Sequence, residues 1–165
     1  MISEIVKYSL VLLLLITVQK AFIELISISE HNIQPDIVIV AVVYISVRRG
    51  QIFGSIFGFS AGLILDILGG SFLGLLALCY SISGFIAGFF SRDEGKYLYK
   101  INFLYVLLFT TAINYFIYFM VYFQGAPISF GDILFKFVIS TTVYTGVISL
   151  LYVFMPQKTN MLKAR

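Results

Sequence analysis

Four ionisable side chains stand where an apolar sequence has least reason to carry them. Lys20 and Glu24 lie late in the first hydrophobic run, Asp66 near the end of the third, and Lys136 near the start of the last. Ionisable groups within apolar segments are costly to bury and usually mark a pairing or a functional path. Asp66 closes its own run, where a helix dipole is negative and disfavours a carboxylate, so it needs a partner, a proton or water. The expected cluster joins Asp66 to Lys20 or Lys136, with Glu24 one turn above Lys20. Two chemistries suit it: an interhelical ion-pair latch, or a site that contacts a partner or ligand. Lysines that simply snorkel to the interface are the third reading.

Little else in the chain could do chemistry. No nucleophile has a base at suitable spacing, no phosphate loop is present, and His31 lacks companions for a metal site. The single cysteine, Cys79, lies in an apolar stretch and reads as a small packing residue. Catalysis, a cofactor and a bound metal are therefore all unexpected.

The elements that must position these charges are apolar rods. Of 165 residues, 60% are hydrophobic and 12% charged, and mean hydropathy is +1.00. A soluble fold of this size cannot hide so much apolar surface, so the surroundings must themselves be hydrocarbon. Apolar segments cover residues 5–27, 33–49, 51–68, 73–90, 101–123 and 133–155, which predicts one all-α membrane domain over residues 1–165 with six crossings. The first has no small-x-small cleavage site and reads as an uncleaved span. The second is at the lower limit of roughly 17 residues for a crossing. A re-entrant hairpin made from segments two and three is the competing arrangement.

Charge predicts orientation. Lys7, Arg48, Arg49, Arg92, Lys96, Lys100, Lys158, Lys163 and Arg165 fall at the termini and at alternate connections, whereas the intervening connections carry no lysine or arginine. The positive-inside rule then puts both termini in the cytoplasm. This topology accounts for the net charge of +3. The basic residues form no continuous stripe, which argues against nucleic-acid binding; contact with the lipid bilayer and its anionic head groups is the generic expectation.

A second pattern runs along the third segment: Gly50, Gly54, Gly58, Gly62, Asp66 and Gly70, each four residues from the last. Glycine within a helix costs about 1 kcal/mol relative to alanine. In a bilayer it compensates by letting two backbones approach. The fourth segment carries a matching small face, Ala77, Ser81, Gly84 and Gly88. The row predicts helix 3 at the centre of the bundle, with packing inside the chain and docking of a foreign helix both open. Asp36 and Asp132 follow a proline and a glycine and read as N-caps of helices 2 and 6. Tyr115, Tyr118 and Tyr144 lie deep enough to need hydroxyl partners, for which Asn114, Thr141 and Thr145 are nearest by depth.

The stretches QPDIVIVAVVYISVRRG and FGFSAGLILDILGGSFLGLLALCYSISGFIAG resemble the rod shape-determining membrane proteins of the MreD family. The residues that carry the likeness are Pro35 and Asp36, Arg48, Arg49 and Gly50, and the set Gly62, Asp66 and Gly74. The long glycine ladder and the very aromatic helix 5 depart from the family pattern. The resemblance implies a non-enzymatic scaffold of the bacterial cell-elongation complex in the inner membrane. Its implied partner is the transmembrane helix of MreC, through which MreB is coupled to RodA and its cognate transpeptidase. At the fold level it also implies a likeness to the six-helix substrate-binding subunits of energy-coupling-factor transporters. A small-molecule-binding subunit is accordingly the alternative, with Lys20, Asp66 and Lys136 as polar anchors.

Overall fold

The computed structural model describes residues 2–23, 35–69, 72–91, 100–125 and 128–154. Among them every regular element is helical, and six helices are formed. Helix α1 runs Ile2–Val18 and widens into a π-helical turn over Gln19–Ile23. Helices α2 (Ile37–Arg49), α3 (Gln51–Gly69), α4 (Leu75–Phe89) and α5 (Lys100–Tyr122) follow. Helix α6 starts at Phe130–Asp132, widens over Ile133–Ile139 and returns to α geometry in Ser140–Phe154.

Among the described residues three stretches are long and apolar enough to cross a membrane: Gln51–Gly69, Asn102–Tyr122 and Phe130–Leu150. Tyr8–Ala21 and Leu75–Phe89 are apolar but shorter. Helix α2 has only 13 residues. At 1.5 Å per residue that is about 20 Å, against a hydrocarbon core of about 30 Å.

The centre of the bundle is α2, not α3 as the glycine row suggests. It packs against α1, α3, α4, α5 and α6, and Val38, Ile39, Val42, Val43, Ile45 and Ser46 are buried. Its sequence is apolar almost all round, the signature of a helix enclosed by others. Helix α3 packs chiefly on α4 and α2. Its opposite side, Ile52, Ile56, Phe59 and Ile67, is exposed, Ile52 by 76%. Glycine gives close approach to a partner on one side; it supplies no side chains with which to hold several.

Between α3 and α4 the fit is at backbone level. A Cβ on Gly58 would lie under 3.0 Å from the Tyr80 carbonyl, and one on Gly62 equally close to the backbone of Leu76 and Ala77. From the other side, a Cβ on Gly84 would strike the backbone of Gly54, and one on Gly88 that of Gln51. Gly54 also faces the Ser46 hydroxyl of α2. The serines Ser55 and Ser81 meet across the same interface at 2.8 Å.

Gly50 is the exception in the row. It caps α2 with φ +89, and a Cβ there would meet nothing within 4 Å. Its use is conformational: a left-handed residue lets the chain turn directly from α2 into α3. Arg48 and Arg49 precede it, stacked over the rings of Tyr44 and Tyr8 at 4.7 and 5.4 Å. Cations there also complement the negative end of the α2 dipole.

Candidate functional site

Asp66 does not meet the lysines. It is 1% exposed, and its carboxylate accepts hydrogen bonds from the backbone N–H groups of Gly74 (2.9 Å), Leu76 (3.2 Å) and Ala77 (3.1 Å). The side chain thus caps the start of α4 from the end of α3. The α3 dipole opposes a carboxylate by about 0.3–1 kcal/mol. Each hydrogen bond to a charged group returns about 1.5–3 kcal/mol, so three donors outweigh it. Leu75 N–H donates to Phe72 C=O at 3.1 Å, which completes the first turn.

Two glycines make this cap possible. Gly62, one turn before Asp66, lets the backbone of Leu76 and Ala77 come close. Gly74 takes φ +96, a left-handed turn at the start of α4, from which the N–H groups of Gly74, Leu76 and Ala77 reach the carboxylate. The triplet Gly62, Asp66 and Gly74 is therefore one device: approach, acceptor, turn.

Lys136 pairs instead with Asp132 at 3.4 Å, one turn away on α6, with the two side chains 58% and 49% exposed. Asp132 lies within helical geometry at φ −64 and makes no capping bond, so the expected cap of helix 6 is replaced by this ion pair. Lys20 sits half-buried in the widened turn of α1 and is not among the partners of Asp66. Glu24, His31 and Gly70 lie outside the described residues.

Among the described residues the most connected polar side chain is Asp36, beside the fully buried Pro35. Its Oδ1 accepts from Ile39 N–H at 3.0 Å, the N-cap that Pro-Asp predicts. Its Oδ2 accepts from two phenols, Tyr80 of α4 and Tyr115 of α5, the latter at 2.9 Å. Its own N–H donates to Thr145 Oγ1 of α6 at 3.1 Å. Val38 N–H donates to Gln19 Oε1 of α1 at 3.1 Å. Four helices thus converge on the first turn of α2, at a carboxylate only 3% exposed.

Neither Tyr80 nor Gln19 stands out in the sequence, and the partner of Tyr115 is Asp36 rather than an amide or threonine. Asn114 instead accepts from Ser83 at 3.2 Å. The signal for Tyr115 was its depth: a phenol far from water needs an acceptor, and Asp36 is the one buried carboxylate on the neighbouring helices besides Asp66 among the described residues. No group of three or more His, Cys, Asp or Glu that could hold a metal occurs among the described residues.

Apolar helices of membrane length, with shorter helices between them started on buried carboxylates and packed by glycine, define a helical membrane protein whose buried carboxylates are satisfied by its own donors. The family model for rod shape-determining protein MreD matches residues 3–161. The chain belongs to that family, and its role lies in determining rod shape. The family is one of structural membrane proteins and not a known enzyme family. No curated protein and no solved structure matches the chain.

Proposed function

We propose that this chain is a six-crossing scaffold of the cell-elongation complex in the bacterial inner membrane, with both termini cytoplasmic. It forms one domain over its whole length. It binds the single transmembrane helix of MreC, and through that contact couples MreB to RodA and its cognate transpeptidase.

The observation that carries this reading is where the polar groups are spent. The lone pairs of Asp36 and Asp66 are taken by the chain's own donors, and Lys136 is taken by Asp132. What remains outward is apolar helix surface: Leu10, Leu13 and Leu14 of α1, Tyr105 and Phe109 of α5, Phe135 and Val143 of α6. Surfaces of this kind take up another helix by van der Waals fit. The glycine row is occupied by α4 and offers no open docking face; the exposed back of α3, Ile52, Ile56 and Ile67, is apolar too, and docking is assigned to α1, α5 and α6. The small-molecule alternative is weakened for the same reason, since two of its three anchors, Asp66 and Lys136, are engaged within the chain.

Site-directed crosslinking tests this. Cysteines at Leu10, Leu14, Tyr105, Phe109 and Val143, in a variant with Cys79 changed to alanine, should include positions that trap MreC in native membrane. Cysteines at Ile52 and Ile56 on α3 should not. Crosslinks from α3 alone, or none from any face, would overturn the assignment.

A further inference from the structure

Three buried polar atoms have no hydrogen-bond partner among the described residues: Thr111 Oγ1 and Asn114 Nδ2 of α5, and Thr142 Oγ1 of α6. Neighbouring threonines satisfy themselves within their own helices. Thr110 returns its hydroxyl to the carbonyls of Val106 and Leu107, and Thr141 returns its own to Phe137. Such back-bonding is the usual recourse of a threonine in an apolar helix. Thr111 and Thr142 do not take it.

Asn114 is held by one end only. Ser83 donates to its Oδ1, which leaves the amide nitrogen over. Turning the amide end for end changes which atom is left over and removes none of the deficit, because an amide carries a donor and an acceptor that both need partners.

By helix register the three fall within about one turn of one another along the bundle. A Cβ on Gly146 would meet the side chain of Leu108, which fixes the register of α5 against α6. The two helices run in opposite directions, so Thr142, one turn before Gly146, stands level with the turn at 111–112. Asn114 follows within a turn. Asp36 shares that level, since Tyr115 from α5 and Thr145 from α6 both reach it.

We propose that Thr111, Asn114 and Thr142 form an internal hydration site, in which bound water bridges α5 and α6 beside the Asp36 hub. The chemistry selects water. The site offers an N–H donor and two hydroxyls that can donate or accept, and a buried water requires two to four such partners. A cation would find no free carboxylate there. An apolar molecule would leave all three groups unsatisfied, which native interiors avoid. The inference stands apart from the docking of MreC and concerns how the bundle holds together.

The sign of a stability change tests it. Valine matches threonine in shape and lacks the hydroxyl. Replacing a hydroxyl that truly has no partner stabilises a protein, whereas replacing one that holds a water leaves the remaining partners unsatisfied and destabilises it. Purified full-length Thr111→Val and Thr142→Val should each melt a few degrees below the parent. The double variant should lose less than the sum of the two, because both act on the same water. Two valine variants that melt at or above the parent temperature would overturn the site. So would strictly additive losses, which mean two separate environments. A structure at a resolution that shows ordered solvent gives a second readout: density between Thr111 and Thr142 supports the site, and close-packed side chains there refute it.

Discussion

The two short helices, α2 and α4, both begin on a buried aspartate, and they are held by different means. At α4 the material is local. Asp66 reaches donors eight to eleven residues along the chain, all of them backbone N–H groups, and glycines on both helices bring the backbones together. At α2 the material comes from across the molecule: Tyr80, Tyr115 and Thr145 are 44, 79 and 109 residues away from Asp36. The α3–α4 hairpin can therefore assemble with few long loop closures, and the partner set of α2 is complete only when α5 and α6 are docked as well. One centre makes a rigid pair; the other reports that the whole bundle is in place.

The largest effect should follow from breaking the rigid pair. Gly58→Leu drives a side chain into the Tyr80 carbonyl, and backbone cannot yield as a flexible side chain can. The variant should fail to accumulate in membranes by immunoblot, while Gly131→Ala, which faces only the Ser129 hydroxyl at 3.8 Å, should accumulate normally. Equal accumulation would mean that the α3–α4 contact is looser than described.

Next come the two aspartates. Asp66→Ala strands three N–H groups at the start of α4, and Asp36→Ala strands two phenols and one N–H; either should cost about 3 kcal/mol or more. The comparison sharpens when the donors are removed. Tyr115→Phe and Tyr80→Phe should each lower the melting temperature by the loss of about 1–2 kcal/mol. No side-chain deletion outside Asp66 should unmake the α4 cap in the same way. If both phenylalanine variants melt with the parent protein, Asp36 is not the hub of the bundle.

Charge reversal gives the next test. Asp66→Lys should be lost alone and should not be rescued by Lys136→Asp or Lys20→Asp, because the partners of Asp66 are backbone. Rescue in purified protein would restore the latch. The smallest effect is expected at the exposed pair on α6, where Lys136→Gln should change stability by less than about 1 kcal/mol.

The sequence discloses these regions unequally, for physical reasons. The glycine row is legible because spacing by four is a property of residue types, and the N-cap role of Asp36 is legible because Pro-Asp at a helix start has a local mechanism. The cap at α4 is not, since its donors are peptide groups that every residue carries. Asp66 near a helix end invites a search for a lysine when the answer is a neighbouring backbone; only Gly74, eight residues on, hints at the turn that brings it back. The centre of the bundle is misread because glycine draws attention to α3. The run IVIVAVVYISV, with no polar side, is the better sign of enclosure. Tyr80 and Gln19 are silent because a phenol or an amide in a helix has many uses, and only packing selects one.

The widened turn at Ile133–Ile139 carries a last consequence. A π-helical stretch holds one residue more than an ordinary helix needs, and Ser140 Oγ donates to Phe135 C=O, five residues back, at 3.3 Å. Deleting a single residue there should let the segment relax to α geometry. Everything between Phe130 and the deletion would then swing by about 100° around the axis, while Thr141, Thr142 and Thr145 keep their places. A shortened chain that inserts and melts normally yet no longer crosslinks to the proposed partner would mark the first quarter of α6 as its docking surface.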